Sequence, residues 1–136
     1  MSIVLDCSAT LAFLLEDELT PAVAAVFEAV VRDGTVVPSL WHLEVANSLS
    51  VAVRRKRIPA AARGQFLGHL AQLDIVTDEE THVHAWNATV KLADLYGLTV
   101  YDAAYLELAQ RRRLPLATLD TALADAARMA GVVVHP

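Results

Sequence analysis

Four acidic residues that are far apart along the chain occupy positions that suit a shared site. They are Asp6, Glu44, Asp102 and Asp120. Asp6 ends an apolar stretch that predicts a strand, and Asp120 directly follows a second such stretch, Leu116 to Leu119. Because sites in an open parallel sheet form beyond the carboxyl ends of the strands, both acids are expected at one edge of the sheet. For either acid alone, a helix cap or a turn residue is the favoured explanation, and two acids at equivalent strand ends shift the balance modestly towards a site.

Glu44 lies in a segment that predicts a buried helix. Apolar residues surround it on nearly every side, and no basic residue follows it before Arg54. An ionised carboxylate that is buried without a partner is costly, so a cation or a distant arginine has to compensate for Glu44. Asn47 lies one turn further along the same stripe of the helix. The alternative is a glutamate that is simply exposed where the helix starts.

Asp102 repeats this pattern at the start of another predicted helix. Helix geometry places it on the same face as Leu106 and Ala109, which are expected to point towards the core. The positive end of the helix dipole favours an ionised acid at this position, so Asp102 is also explained as an ordinary acid of the first turn.

The chemistry depends on whether the four acids converge. Two carboxylates about 4 Å apart repel each other by roughly 4 kcal/mol at an effective dielectric constant near 20. A marginally stable domain does not readily absorb that cost, and divalent cations would relieve it. Carboxylate oxygens favour Mg²⁺ or Mn²⁺, and Mg²⁺ usually completes its shell with water and phosphate oxygens. Convergence would therefore indicate phosphoryl-transfer chemistry.

The elements that must position these acids alternate between short strands and helices. The predicted strands are Ser2 to Asp6, Thr35 to Pro38, Asp74 to Thr77, Leu116 to Leu119, and Val132 to Val134. Short strands that are apolar on both faces and separated by helices predict an α/β fold, with a parallel sheet that is covered on both sides.

Capping residues and glycines give the expected helix boundaries. The predicted helices run from a Ser8 cap to about Asp17, from Thr20-Pro21 to Gly34, from a Ser39 cap to the cluster Arg54 to Arg57, from Pro59 onwards, from Glu79 to Tyr96 before Gly97, from Asp102 to Arg113, and from Thr121 to Ala130 before Gly131.

Length and composition predict one domain over residues 1–136. The apolar fraction of 55% makes self-association reasonable, and the formal charge of -5 opposes nucleic-acid binding by bulk attraction. The N-terminus lacks a secretory pattern, and the longest apolar stretch is too short to cross a membrane. Cys7, the one cysteine, suits a buried thiol in a reducing compartment, so we expect a cytoplasmic protein.

Several other patterns have simpler explanations than a second site. The clusters Arg54 to Arg57 and Arg111 to Arg113 end helices, about 15 Å from the acids that those helices carry, and there they complement the helix dipoles. Contact between one cluster and a long RNA is a minor hypothesis. His82 and His84 are two apart on a predicted helix, so they do not form a zinc pattern. Nothing in the sequence brings Ser8 and His42 together as a nucleophile and its base.

The chain resembles a PIN-domain ribonuclease. The matching elements follow the family's order over the whole chain, and they are Asp6-Cys7-Ser8 after the first strand, Leu43-Glu44-Val45-Ala46-Asn47 in a helix, Tyr101-Asp102-Ala103-Ala104-Tyr105 at the start of another helix, and Thr118-Leu119-Asp120 after a strand. The likeness is greatest to the stand-alone VapC-type toxins of toxin–antitoxin modules. It implies a three-layer α/β/α sandwich around a short, mostly parallel sheet of four to five strands.

The resemblance also implies the site and the reaction. Asp6, Glu44, Asp102 and Asp120 would be the catalytic and metal-binding residues, with Thr118, Ser8 and Asn47 in support. The fourth acid is the least constant in the family, and Asp125 is a nearby substitute for Asp120. The implied activity is Mg²⁺-dependent cleavage of RNA by a metal-activated water, with Mn²⁺ as a substitute metal. The implied partners are an antitoxin protein and a second copy of the chain.

Three other functions compete with this interpretation. A phosphate-accepting receiver domain normally has paired acids after its first strand and a late lysine, whereas Cys7 follows Asp6 and no lysine follows Lys91. A phosphatase of the haloacid-dehalogenase type needs a second aspartate where Ser8 stands. A structural interaction module, in which every acid is a cap, is the third.

Overall fold

Strands and helices alternate along residues 1–136, all of which the computed structural model describes. The strands are β1 (Ile3–Leu5), β2 (Thr35–Val37), β3 (Ile75–Thr77), β4 (Leu116–Ala117) and β5 (Val134–His135). The α-helices are α1 (Cys7–Leu14), α2 (Pro21–Asp33), α3 (Trp41–Arg54), α4 (Ala60–Leu70), α5 (Thr81–His84), α6 (Val90–Tyr96), α7 (Val100–Arg112) and α8 (Thr121–Met129). A π-helix (Ala85–Thr89) joins α5 to α6.

The five strands form one parallel sheet in the order β3-β2-β1-β4-β5. In the centre of the sheet, Val4 is in register with Val36 on one side and with Leu116 on the other. The central strands β1, β2 and β4 are buried throughout, whereas Val76 on the edge strand β3 is exposed. The predicted α/β class and the short parallel sheet are confirmed.

The helices pack in two groups. In one group, α1 packs against α2 and α3, and α3 packs against α4. In the other, α7 packs against α5, the π-helix, α6 and α8. The chain moves outward from β1 to β3 and then crosses back to β4 and β5. Since crossovers between parallel strands are right-handed, these two directions place the two groups on opposite faces of the sheet. The result is the expected three-layer arrangement.

The direction of winding changes between the adjacent strands β1 and β4. Ligand sites of open α/β sheets lie at such a switch point, beyond the carboxyl ends of the strands. Asp6 directly follows β1, and Asp120 lies just beyond β4. The topology therefore places the first and last of the four acids beside each other.

Local capping signals correctly predict several boundaries. The Thr20 hydroxyl accepts a hydrogen bond from the Val23 amide, Pro21 opens α2, and Gly34 closes α2. Gly97 closes α6 with a φ of 65°, in the left-handed region that favours glycine. These signals depend on residues next to one another in sequence, which is why the sequence is sufficient to identify them.

Two predicted caps are wrong. Ser8 lies inside the first turn of α1, and the cap is Asp6, whose Oδ1 accepts a hydrogen bond from the Ala9 amide at 2.9 Å. Ser39 does not cap α3, which has no side-chain cap, and its amide donates to Thr81 Oγ1 at 3.1 Å. At α1 a carboxylate therefore takes the capping role that sequence spacing assigns to a serine, whereas at α3 no side chain takes it.

The single helix predicted from Glu79 to Tyr96 is instead α5, the π-helix and α6. A π turn changes the helical register, and no glycine or proline in the segment marks its position. The next helix, α7, begins at Val100 instead of Asp102, because the Thr99 hydroxyl caps it by accepting from the Asp102 amide. Asp102 is consequently in the first turn of α7, as its sequence position indicates.

Candidate active site

Asp6 is the most buried of the four acids, with only 4% of its surface exposed. Its carboxylate accepts hydrogen bonds from the Ala9 amide, from Ser8 Oγ at 2.7 and 2.9 Å, and from Thr118 Oγ1. Burial raises the pKa of Asp6 to about 6, even though these hydrogen bonds oppose the shift, and repulsion from Asp102 adds to it. Asp6 is thus rigidly held and costly to ionise.

Two hydroxyls join the segment after β1 to the segment after β4. Ser8 Oγ accepts a hydrogen bond from the Leu119 amide at 2.9 Å and lies 3.3 Å from Thr118 Oγ1. Thr118 Oγ1 in turn accepts from the Asp120 amide at 3.0 Å. The two residues predicted as supporting hydroxyls therefore hold Asp6 and the backbone of Asp120 in one network.

Asp120 caps helix α8, because its Oδ1 accepts a hydrogen bond from the Leu123 amide at 2.9 Å. Its charge contributes to raising the pKa of Asp102, after the larger effect of burial, so the two acids interact electrostatically. Asp125, the alternative fourth acid, is exposed on α8 and lies 3.4 Å from Arg128. The structure therefore brings Asp120, and not Asp125, towards the other acids.

Asp102 is electrostatically coupled to the other three acids. It is partly buried in the first turn of α7, and burial together with repulsion from Asp120 raises its pKa. Repulsion from Asp102 in turn raises the pKa of Asp6 and the pKa of Glu44, in both cases after the larger effect of burial. Asp102 is therefore the one acid whose charge interacts with each of the other three.

Helix α3 carries Glu44 and is fixed to the segment of Asp6 by a chain of hydrogen bonds. The buried Trp41 donates from Nε1 to Thr10 Oγ1 at 3.2 Å, and the Thr10 hydroxyl donates to the backbone oxygen of Asp6 at 2.7 Å. Contrary to the sequence prediction, α3 is not buried on nearly every side, because Leu43 is 76% exposed. Helix α3 belongs to an outer layer, so only its inner face is covered.

Glu44 is partly buried, and burial raises its pKa. Its partner is neither an arginine nor the solvent expected at an exposed helix start. The Tyr105 hydroxyl donates a hydrogen bond of 2.5 Å to Glu44 Oε1. Sequence reasoning did not identify Tyr105 as a site residue. The available signal was a tyrosine one turn after Asp102, because the hydroxyl of a buried tyrosine usually finds a partner.

Asn47, the third predicted supporting residue, is exposed and makes no side-chain hydrogen bond. The polar residue that follows it, Ser48, points towards the segment after β1, and its Oγ lies 3.5 Å from Cys7 Sγ. The structure therefore gives Ser8 and Thr118 direct contacts to the acids and gives Asn47 none.

No lysine, arginine or histidine forms a salt bridge with Asp6, Glu44, Asp102 or Asp120. The four side chains offer only carboxylate oxygens, which are the donors that Mg²⁺ and Mn²⁺ prefer. No three His, Cys, Asp or Glu side chains are close enough together to hold a metal directly. The four acids therefore fit a divalent cation by their oxygen ligands and by their uncompensated negative charge. Such a site suits a Mg²⁺ ion that would keep most of its waters and contact one or two carboxylates.

Two of the three arginines in the cluster Arg111 to Arg113 are neutralised by acids of the chain. Arg111 donates to Asp78 Oδ2 at 2.6 Å and to Glu107, and Arg112 donates to Asp78 Oδ1 at 3.1 Å. Burial raises the pKa of Asp78, but the two arginines outweigh it and leave the pKa at about 2. The helix-dipole explanation was incomplete, because Asp78 is distant in sequence. In the first cluster, Arg57 similarly pairs with Asp17 and Glu18.

The remaining candidates do not assemble into a site. His82 is exposed, and His84 lies 3.8 Å from Glu80 without a second ligand nearby. His42 packs edge-on against Trp41, whereas the Ser8 hydroxyl contacts Asp6, so no nucleophile–base pair forms. None of the chain's helices is both long enough and apolar enough to cross a membrane.

Comparisons with known proteins agree with the fold. The family model described as the PIN domain matches residues 3–129. No curated protein sequence matches the chain. The solved structure of PAE2754 from Pyrobaculum aerophilum is 22% identical with a TM-score of 0.71, and the match covers 98% of this chain and 89% of that one. FitAcB from Neisseria gonorrhoeae is 18% identical with a TM-score of 0.63, covering 98% of this chain and 96% of that one. A toxin–antitoxin complex from Klebsiella pneumoniae is 22% identical with a TM-score of 0.63, and the match covers 97% of this chain and 96% of that one. At these identities the structural likeness shows the fold alone.

Proposed function

The chain belongs to the PIN domain family, and we propose that it is a Mg²⁺-dependent endoribonuclease acting as the toxin of a toxin–antitoxin module. PIN domains are generally nucleases, so a hydrolase of nucleic-acid phosphodiesters follows from membership. Membership also favours this activity over a receiver domain, a haloacid-dehalogenase-type phosphatase or a structural interaction module. RNA as the substrate and Mg²⁺ as the metal, with Mn²⁺ as its substitute, are the finer parts of the proposal.

The observation that carries the proposal is a group of electrostatically coupled carboxylates without a basic partner. Burial and mutual repulsion raise the pKa of Asp6, Glu44 and Asp102, and Asp120 contributes to that repulsion. Coupled carboxylates of this kind are typical of functional sites, because a fold does not retain such a cost for stability alone. A divalent cation is the simplest compensation.

A bound Mg²⁺ would stabilise the negative charge that develops on the phosphate and lower the pKa of an attacking water. The chain's own contribution is to place its carboxylates before the substrate arrives. Ser8 and Thr118 restrict Asp6 from two sides, and the Trp41–Thr10 hydrogen bond sets α3 against the same segment. Such preorganisation lowers the cost of reaching the transition state, because fewer groups must reorient during the reaction.

The partners belong to the proposal as well. A protein antitoxin is supported by the structural likeness to a toxin–antitoxin complex. A homodimer through apolar helix faces is supported by the many exposed hydrophobic side chains, such as Leu43, Trp86 and Leu95. We place the protein in the cytoplasm, where its RNA substrate occurs and where a lone thiol stays reduced.

The test is cleavage of total cellular RNA by the purified chain, with the cleavage sites mapped. We expect cleavage with Mg²⁺ or Mn²⁺, none with a chelator, and a loss of at least about 100-fold for Asp6→Asn and for Asp102→Asn, on the scale of removing a transition-state contact. Asp125→Asn is the matched control, because it removes an exposed carboxylate from α8 and should leave activity unchanged. Chelator-resistant cleavage, or full activity of Asp102→Asn, would reject the proposal.

The products give a second check on the chemistry. If water attacks the phosphorus directly, cleavage in ¹⁸O-water adds one solvent oxygen to the product phosphate, and no 2′,3′-cyclic phosphate forms. A cyclic phosphate product would instead show that the RNA 2′-hydroxyl attacks, and the role proposed for the acids would then be wrong.

A further inference from the structure

Tyr105 connects two of the four acids across two helices. It lies one turn after Asp102 on α7, only 1% of its surface is exposed, and its hydroxyl donates to Glu44 Oε1 on α3 at 2.5 Å. The hydroxyl makes no other hydrogen bond, and it is the only hydrogen-bond donor to the Glu44 carboxylate. The position of Glu44 is therefore set by the helix that carries Asp102.

The contact fixes the orientation of the Glu44 carboxylate. A tyrosine hydroxyl carries its proton at neutral pH, so Tyr105 is the donor and Glu44 Oε1 is the acceptor. With Oε1 engaged by the hydroxyl, Oε2 is the carboxylate oxygen without a protein partner. One oxygen is thus used for positioning, and the other remains available to a cation.

We propose that Tyr105 is a positioning residue that orients the Glu44 carboxylate towards a divalent cation. This inference rests on the proposed function, because it assumes that the acids bind a metal. The competing explanation is a core tyrosine that merely satisfies its own hydroxyl. That explanation predicts lower stability on removing the hydroxyl and unchanged metal affinity, so metal affinity measured without RNA separates the two.

The experiment is calorimetric titration of the full chain with Mn²⁺ in the absence of RNA. Groups that orient metal ligands typically contribute 10- to 100-fold to metal affinity, so we expect Tyr105→Phe to bind Mn²⁺ about 10-fold more weakly than the wild type. Tyr101→Phe is the matched control on the same helix, because Tyr101 is 66% exposed and its hydroxyl makes no hydrogen bond. Its affinity should not change.

A double-mutant cycle identifies the path of the effect. Glu44→Gln still accepts the hydrogen bond from Tyr105 but has lost its charge, so it should bind Mn²⁺ weakly by itself. If Tyr105 acts through Glu44, adding Tyr105→Phe to Glu44→Gln weakens Mn²⁺ binding no further. A full additional 10-fold loss in the double variant would show that Tyr105 acts on the fold in general, and would overturn the inference.

Difference absorption in the near ultraviolet keeps the inference testable if Tyr105→Phe does not fold. Mn²⁺, like Mg²⁺, should change the tyrosine spectrum of the wild type and of Tyr101→Phe, but not that of Glu44→Gln. Mn²⁺ binding by the wild type without a tyrosine signal, or unchanged affinity of folded Tyr105→Phe, refutes the role of Tyr105 and leaves the proposed function standing. A wild-type chain that binds neither metal refutes the proposed function and this inference with it.

Discussion

Three hydrogen-bond donors surround the Asp6 carboxylate, yet its pKa is raised to about 6. At this single residue, desolvation outweighs hydrogen bonding, because water is excluded from a side chain that lies between β1 and the start of α1. The protein consequently carries a destabilising charge at neutral pH when no metal is bound. Asp6 is therefore the residue at which function and stability are most directly opposed.

This opposition predicts a pH-dependent stability in the absence of metal. Between pH 3.8 and about 6, the unfolded chain has lost the Asp6 proton while the folded chain keeps it, so stability falls as pH rises through this window. A pKa change of this size corresponds to a loss of about 3 kcal/mol in the free energy of unfolding once the pH is above 6. We therefore expect the free energy of unfolding of Asp6→Asn, relative to that of the wild type, to rise by up to about 3 kcal/mol as the pH increases from about 4 to about 7. Urea unfolding in the presence of a chelator measures this difference.

Asp78 is affected in the opposite direction and in a different window, which keeps the two contributions separate. Burial raises its pKa, but the hydrogen bonds and charges of Arg111 and Arg112 outweigh burial and lower the pKa to about 2. The stability that Asp78 contributes is therefore lost only as the pH falls from 3.8 towards 2. Asp6→Asn and the wild type share Asp78, and its contribution cancels in their difference. A difference in stability that does not change with pH would contradict the account of Asp6.

At the scale of elements, all four acids lie at helix N-termini. Asp6 and Asp120 cap α1 and α8, and Glu44 and Asp102 lie in the first turns of α3 and α7. The positive end of a helix dipole stabilises each ionised carboxylate and offsets part of their mutual repulsion. Helix starts at the carboxyl edge of a parallel sheet are therefore suited to gathering acids, because capping and metal binding can use the same residue.

Asp120 allows these two roles to be separated. Asp120→Asn keeps an oxygen that can cap α8 but removes the charge, whereas Asp120→Ala removes both. We expect both variants to bind Mn²⁺ more weakly than the wild type. Only Asp120→Ala should lose about 1 kcal/mol of stability, the usual contribution of an N-cap. Calorimetry and urea unfolding measure the two effects, and normal Mn²⁺ affinity in Asp120→Asn would limit Asp120 to capping.

The contact between α7 and the residue after β3 predicts a large effect far from the acids. The Asp78 side chain is fully buried, and Arg111 is its closest ion-pair partner at 2.6 Å. Removing one partner of a buried ion pair typically lowers stability by about 3–5 kcal/mol. Because Arg112 still pairs with Asp78 in Arg111→Ala, we expect this variant to lose about 3 kcal/mol of stability, the lower end of that range. Arg128→Ala breaks only an exposed pair and should cost less than about 1 kcal/mol. Equal stabilities of the two variants would show that Asp78 does not depend on Arg111.

At the scale of the whole molecule, charge opposes the proposed substrate. The net charge is -5, and Arg57, Arg111 and Arg112 are paired with acids of the chain itself. Because the net charge does not attract RNA, we expect contact with RNA to be concentrated near the metal site and in non-ionic contacts. The switch point between β1 and β4 provides one such location, because both strands deliver an acid to the same edge.

Local contact predicts a weak dependence of RNA cleavage on salt. A protein that neutralises many phosphates loses about 10³- to 10⁵-fold in affinity between about 50 and 200 mM salt. Here we expect kcat/KM at constant Mg²⁺ to fall by less than about 10-fold over that range. Reversing the exposed cluster residues Arg54 and Arg55 to glutamate should leave this profile unchanged. A steep profile that the reversal flattens would instead establish the cluster as an RNA-binding surface.

The sequence by itself determined the alternation of strands and helices, the boundaries at Thr20, Pro21 and Gly97, and which acids lie at strand ends and helix starts. Hydrophobic runs, caps and left-handed glycines act over a few neighbouring residues, so they can be identified locally. The order of the four acids was likewise sufficient to indicate the family, which the match to residues 3–129 confirms.

Only the tertiary structure decided which distant groups meet. It paired Tyr105 with Glu44 and Arg111 with Asp78, gave the cap of α1 to Asp6 instead of Ser8, and favoured Asp120 over Asp125. Each of these outcomes depends on the strand order β3-β2-β1-β4-β5 and on how two layers of helices pack across it. The energy of a contact between residues far apart in sequence exists only once the chain has folded, so neither residue carries a local signal of its partner.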